Sequence, residues 1–395
     1  MIWLVTWIGL ASAAEPLTLE GAWAEAAGSP EILLADAAAA EGLAERTEAR
    51  AFTNPTVDYQ GYGRTRGTAD AINGQQHQVD LGIGLPITGE YAARLRRGRE
   101  AARLGEVRSE SARAVLAEAI ATAWFELLAA QEREAVLEAS RDRVRALVDL
   151  TRRRAEQGAA RPWDVDRMRM AQLDTERQLA EARRARLLAQ AELAALIGRQ
   201  DRNIDAQGSL SLTALDLADP ASEAPFVREA EAFVARQDAL VREVRRSRVP
   251  EPAVQVGAYL TRDGDSASLV AGIGWDLPLF DRGRGRVDRA EVEAMQAEAS
   301  LRRVEDTVRS EVESLALALA ALRELAADAP RPDRSVVTAA EVAWREGETG
   351  ILELVDTLTA DVSLQLQAVD LQLSIRQTEV RLALLQGRLD RVIPR

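Results

Sequence analysis

Residues 79–87 read Val79-Asp80-Leu81-Gly82-Ile83-Gly84-Leu85-Pro86-Ile87, and 192 residues further on the chain reads Ala271-Gly272-Ile273-Gly274-Trp275-Asp276-Leu277-Pro278-Leu279. In both stretches apolar side chains alternate with small or polar ones, and a proline closes the run. Successive side chains of a strand point to opposite faces, so a period of two describes strands with one apolar and one polar face. Proline has no N–H to give to a ladder and ends the strand there. Two weaker alternating runs precede these, opening at Asn54-Pro55-Thr56-Val57-Asp58-Tyr59 and Glu251-Pro252-Ala253-Val254-Gln255-Val256. Strands are therefore expected near 56–64, 77–86, 253–261 and 268–277.

Most of the remaining chain reads as long helix. Aromatics make up only 4% of the residues, and Ala, Leu, Glu and Arg dominate, which is the composition of extended helices. Residues 17–51 are Ala-rich, and 91–157 contain no proline. As one helix the latter would run about 100 Å at roughly 1.5 Å per residue. Ala155-Glu156-Gln157-Gly158 is followed by Pro162-Trp163-Asp164-Val165, and this order returns 189 residues later as Trp344-Arg345-Glu346-Gly347 and Ile351-Leu352-Glu353-Leu354. The chain thus reads as two internal repeats. Residues 15–197 give helix, two strands, long helix 91–157 and helix 163–197. After a connector at 198–222, residues 223–395 give helix, two strands, long helix 285–346 and helix 351–389, with a break expected at Pro330 and Pro332. In the last helix Val355, Val362 and Val369 recur every seven residues with Leu366, Leu373 and Val380 beside them, while Leu364, Leu371 and Leu385 mark a second face. Two seams require two neighbours, as in a ring of helices.

Residues 1–14, MIWLVTWIGLASAA, form a short apolar run ending in small residues and read as a signal peptide, with a buried helix start as the alternative. The net charge is −13, from 50 basic and 63 acidic residues, and every basic residue is arginine. An acidic chain is poorly suited to nucleic acid. There is no cysteine and the one histidine is His77, so thiolate chemistry is excluded and no His-based zinc site can be built from one chain. No enzyme, cofactor or metal site is expected. Met168 and Met170, two residues apart, read as packing residues, and His77 as a residue at a loop end.

Four strands cannot close a membrane barrel alone, since such barrels begin at about eight strands. If they lie in lipid, copies must share a barrel. Together these landmarks resemble the TolC-like outer-membrane efflux proteins, and within them the channel components of heavy-metal-type tripartite exporters. The stretch Leu277-Pro278-Leu279-Phe280-Asp281-Arg282-Gly283-Arg284-Gly285 is similar to that group's strand-to-helix junction, and Gly208-Ser209-Leu210-Ser211 to its connector. The resemblance implies a mainly α chain with a small membrane β portion, trimeric, with a 12-stranded β-barrel in the outer membrane continued by a helical barrel through the periplasm. The partners implied are a second and third copy, a periplasmic adaptor, an inner-membrane pump and outer-membrane lipid. The function implied is a passive conduit for small molecules or metal cations. A periplasmic adaptor and a soluble coiled-coil scaffold are the alternatives, although an adaptor would carry one helical hairpin, and a scaffold leaves Leu85-Pro86 and Leu277-Pro278 unexplained.

The resemblance also assigns sites. Glu353 and Asp356, on one helix face, align with the acidic pair that rings the tunnel entrance. Gly158, Asp164 and Gly347 mark the turns of the tunnel tip, and Pro86, Gly89, Pro278 and Gly283 the strand-to-helix junctions. In the best-known member an aspartate at the position of Asp164 bonds an arginine and a tyrosine, but here Trp344 and Thr349 stand at those positions, leaving Arg161 or Arg345 to close the tip. On the strands, Leu81, Ile83, Ile273 and Trp275 are expected to face lipid and Asp80 and Asp276 the lumen, with arginine tolerated at Asp80.

Overall fold

The computed structural model describes residues 15–62, 76–210, 224–261, 267–329, 334–389 and 392. The first 14 residues, residues 211–222 of the connector, and Pro330 and Pro332 lie outside them. In chain order the elements are β1 (Glu15–Leu17), α1 (Leu19–Glu25), α2 (Pro30–Arg50), β2 (Thr56–Tyr62), β3 (Gln76–Gly84), α3 (Glu90–Glu156), α4 (Pro162–Leu196), β4 (Ile204–Ala206), α5 (Pro225–Arg246), β5 (Ala253–Thr261), β6 (Ala267–Gly274), α6 (Arg284–Asp328), α7 (Arg334–Glu346) and α8 (Ile351–Leu385). The chain forms two compact units. One takes residues up to Ala35, Ser111–Pro225 and Thr307–Arg395; the other takes Asp36–Glu110 and Phe226–Asp306.

Two of the expected helical stretches are divided, the second having been expected to break at Pro330 and Pro332. The stretch 17–51 breaks into α1, a 3-10 turn at Ala26–Gly28 and α2, because Ser29 is extended and Pro30 opens the next helix. Its buried Ser29 Oγ accepts from the Ile32 N–H at 3.4 Å. The stretch 285–346 is two helices, α6 and α7, ending at Asp328 and starting at Arg334.

The second unit holds a four-stranded antiparallel sheet in the order β2-β3-β5-β6. Thr56 pairs with Gly82, Gly84 with Ala253, and Ala253 in turn with Gly274. This register sorts the residues by face. Val57, Tyr59, Val79, Leu81, Ile83, Val254, Val256, Leu260, Leu269 and Ile273 share one side, and Asp58, Gln60, Gln78, Asp80, Gly82, Gln255, Gly257, Gly272 and Gly274 the other. The apolar side is exposed, with Leu269 at 88% and Ile273 at 77%. His77 is the second residue of β3, and its Nδ1 is 2.8 Å from the Tyr59 hydroxyl. Asp80 is on the polar side but is buried, and its carboxylate accepts from Gln78 Nε2 at 2.8 and 3.0 Å. A Cβ at Gly257 would stand 2.0 Å from Asp80 Oδ1. Asp80 thus takes up the space that a side chain at Gly257 would need.

Below the strands in sequence, α2 and α3 meet at glycines: a Cβ on Gly42 would lie 2.6 Å from the Ala101 carbonyl oxygen, and one on Gly105 2.7 Å from that of Ala38. Arg97 joins three helices of this unit, donating to Glu243 of α5 at 2.6 Å and Glu45 of α2 at 3.5 Å, while Arg236 donates to Glu45 at 3.1 Å.

In the first unit β1 and β4 pair in parallel, three residues each, too short to carry a sequence signature. Trp124 of α3 pins this ribbon: its Nε1 donates to the Leu17 carbonyl at 3.2 Å, and its ring occupies the space that a side chain at Gly208 would need. Gln131 adds bonds to Asp205 and to both main-chain groups of Ala206. The apolar stretch of α3, long enough by composition to cross a membrane, instead builds this core through Ile120, Ala121, Leu127 and Leu128.

Candidate functional site

The tip turns lie in the first unit. Gly158 follows α3 with φ +73°, and Gly347 follows α7 with φ +83°, a left-handed conformation that costs glycine no Cβ clash. Each closes the same pair of bonds. Gly158 N–H donates to the Ala155 oxygen and Ala159 N–H to that of Arg154; Gly347 N–H donates to the Trp344 oxygen and Glu348 N–H to that of Ala343.

The acids that follow also correspond. Asp164 is the third residue of α4, and its carboxylate accepts from the Arg161 N–H at 2.8 Å. Glu353 is the third residue of α8 and accepts from the Gly350 N–H at 3.0 Å. Each supplies the carboxylate half of a capping box and a negative charge at a helix N-terminus. Asp356 lies one turn on, and it and Glu353 are both exposed. Glu353 thus has a capping role besides its charge.

The residue at the centre of the tip is one that the sequence did not single out. Arg154 lies with its guanidinium carbon 4.9 Å from the centre of the Trp344 ring and donates to the carbonyls of Arg345 at 2.9 Å and Trp344 at 3.4 Å. It therefore caps the C-terminus of α7 while stacking on its tryptophan. Arg161 contributes its main-chain N–H, and Arg345 lies 3.6 Å from Glu341 of its own helix. The Thr349 hydroxyl is buried with no hydrogen-bond partner among the described residues. Trp344 belongs to a core cluster with Val144, Val148, Met168, Val337 and Ile351; Met168 is fully buried there, whereas Met170 is exposed.

The junction residues lie in the second unit and come in matching pairs. Pro86 and Pro278 each sit at the middle of a three-residue turn, with Ile87 N–H donating to the Leu85 oxygen and Leu279 N–H to that of Leu277, both at 2.8 Å. Gly89 (φ +85°) and Gly283 (φ +66°) then turn the chain into α3 and α6. Trp275 Nε1 donates to the Pro250 oxygen at 3.1 Å. At the start of α3, burial raises the pKa of Glu90, and the nearby Glu251 adds to it. Among the described residues no group of three or more His, Cys, Asp or Glu side chains converges as a metal site would require.

In the first unit a buried ion pair ties α8 to the connector. Arg376 Nη1 and Glu379 Oε2 are 2.5 Å apart, Arg376 Nε donates to the Leu210 oxygen at 2.8 Å, and Arg323 reaches the other Glu379 oxygen at 2.8 Å. Burial raises the pKa of Glu126 and of Glu132 in α3; Glu192 adds to the first, and a hydrogen bond from Leu210 opposes the second.

A two-faced sheet whose strands pass through Pro-Gly junctions into very long helices is the architecture of outer-membrane channel proteins. The outer membrane protein VceC of Vibrio cholerae superposes with a TM-score of 0.78 over 93% of this chain and 96% of its own, at 17% identity. The chain belongs to the outer membrane efflux protein family, whose model matches residues 24–199 and 219–388. It is 29% identical to the cobalt-zinc-cadmium resistance protein CzcC of Cupriavidus metallidurans and 25% identical to the nickel-cobalt-cadmium resistance protein NccC of Alcaligenes xylosoxydans; each alignment covers 72% of this chain, with 69% and 64% of the relatives' lengths. The protein is thus a TolC-like efflux channel and not an enzyme. It resides in the outer membrane and extends into the periplasm, as the outer-membrane part of a tripartite system with an adaptor and an inner-membrane pump.

Proposed function

We propose that three copies of this chain assemble into one channel, each contributing four strands to a 12-stranded barrel and its helices to a common periplasmic tunnel. The observation that carries this is the sheet: four strands, apolar on one face and polar on the other, with β2 and β6 both at open edges. In hydrocarbon an open edge leaves N–H and C=O groups unpaired, at several kcal/mol each, so the edges must be closed by further strands. Eight is the lower bound for such barrels and three chains of four reach twelve. The chain is read as an internal duplication, with Gly89, Gly158 and Gly198 answered by Gly283, Gly347 and Gly387, all at positive φ.

The cargo is divalent transition-metal cations, a reading supported by the names of the two relatives. Glu353 and Asp356 act at the periplasmic entrance as a ring of six carboxylates in the trimer. Like charges so close are relieved by cations, which favours their entry. Carboxylates alone do not choose among metals, so selection falls to the pump. The tip opens and closes through the Arg154 and Trp344 contact.

Outer-membrane fractionation followed by mass measurement in detergent tests the assembly. A trimer of the mature chain is expected, and a monomer would overturn it.

A further inference from the structure

We infer that β6 of one copy pairs antiparallel with β2 of the next in one specific register, with Ile273 opposite Tyr59, Gly272 opposite Gln60 and Gly274 opposite Asp58. The inference rests on the trimeric reading and adds the residues that meet at its seams.

The register follows from the hairpins within one chain. Moving β2 by 197 residues gives β5, and moving β3 by 192 gives β6, because Pro55 then falls on Pro252 and Pro86 on Pro278. Under these shifts the pairing of Thr56 with Gly82 becomes that of Ala253 with Gly274, which is the pairing the second hairpin has. The two hairpins are therefore equivalent in register. They meet at the seam between β3 and β5, where Leu81 faces Val256, Asp80 faces Gly257 and Gly82 faces Gln255. The same shifts carry this seam onto the two free edges. The seam's last bond, Leu85 N–H to the Pro252 oxygen at 2.8 Å, becomes Leu277 N–H to the Pro55 oxygen of the next copy.

Three features of the edges agree with this register. The first is the faces: Ile273 and Tyr59 both lie on the apolar side, and Gly272, Gly274, Asp58 and Gln60 on the polar side, so the barrel wall continues without inversion. A slip of one residue would put Ile273 opposite a polar residue. The second is the glycines. At the seam between β3 and β5 the polar-face pairs Asp80 with Gly257, Gly82 with Gln255 and Gly84 with Ala253 each set a glycine against a larger residue. The inferred pairs Gly272 with Gln60 and Gly274 with Asp58 do the same, with the roles exchanged at the first. A Cβ on Gly272 would meet nothing within 4 Å, which leaves the space for Gln60. The third is exposure: Val57, Tyr59, Ile273 and Trp275 are 69%, 65%, 77% and 61% exposed in the single chain.

Because the chain has no cysteine, introduced pairs report without background. The double variants D58C/G274C and Q60C/G272C are in register; D58C/G272C and Q60C/G274C are each displaced by two. Directly opposed Cβ atoms lie about 5 Å apart and diagonal ones farther, while a disulfide needs roughly 4 Å. Mild oxidation of outer membranes, read on non-reducing gels, should give covalent trimers from the in-register pairs about fivefold more than from the displaced ones. The reduced variants are sized in detergent alongside. Trimers that cross-link best in a displaced pair, or in none, would overturn the register and leave the assembly standing. A monomeric mass for the chain without introduced cysteines would remove the assembly itself.

Discussion

The guanidinium of Arg154 stacks 4.9 Å above the Trp344 ring and hydrogen-bonds the last carbonyls of α7, joining two helices 190 residues apart in sequence at the tip turns. An arginine so placed pairs with the helix dipole and the ring quadrupole at once. Arg154→Ala should cost about 1–2 kcal/mol, and Trp344→Ala about 3–5 kcal/mol because it also empties a core position. Both should raise single-channel conductance in planar bilayers. A conductance equal to the parent's for both variants would show that the contact braces the fold without holding the tip closed.

Glu353 carries a cap as well as a charge, so the ring is best tested without breaking the cap. Gln keeps an acceptor for the Gly350 N–H, and E353Q/D356N should lose cation preference and block by multivalent cations from the periplasmic side while keeping parental stability. Glu353→Ala alone should cost about 1 kcal/mol through the cap. Bilayer recordings with thermal unfolding separate the two effects.

On the sheet, the polar face is the less forgiving at Asp80. Gly257→Ala should lower the yield of assembled channel, because its methyl group would overlap the Asp80 carboxylate and crowd the Val79 carbonyl oxygen, and Asp80→Ala in the same chain should recover part of it. On the apolar face, Ile83→Arg should cost about 2–4 kcal/mol near the bilayer centre. Assembled channel in outer-membrane fractions measures all three.

The buried pair of Arg376 and Glu379 responds to how it is broken. Arg376→Ala leaves a buried carboxylate with Arg323 as its remaining strong partner and frees the Leu210 carbonyl, at a cost of about 3–5 kcal/mol. Replacing both by apolar residues of similar volume should recover most of this in denaturant unfolding.

Burial raises the pKa of Glu126 above that of an ordinary glutamate, and the nearby Glu192 adds to it, so the folded chain holds this proton more tightly than the unfolded one. Its ionised form therefore subtracts stability above the raised pKa, and stability is regained as pH falls toward the unfolded value. Glu126→Gln keeps an acceptor for Gln377 and should flatten that part of the pH profile of thermal unfolding, measured against the parent chain.

Much of this architecture is written in local pattern. Strand alternation at Val79, Leu81 and Ile83 needs only the pleat, the stops at Pro86 and Pro278 only the missing N–H, and the turns at Gly158 and Gly347 only the absent Cβ. Such features involve residues within a few positions of each other, and a periodic or punctuating residue announces them. What tertiary structure alone decided involves residues brought together from far apart. Nothing around Arg154 in sequence distinguishes it from Arg152 or Arg153; only the turn of α3 that faces Trp344 does. The ribbon of β1 and β4 is too short for a period to show, and exists because Trp124 and Gln131 meet it from α3. Asp80 and Gly257 share a register position, so the Asp80 carboxylate occupies the space left by a glycine 177 residues away. Local pattern follows from the geometry of the backbone, whereas these contacts follow from which faces the packed helices and paired strands turn toward one another.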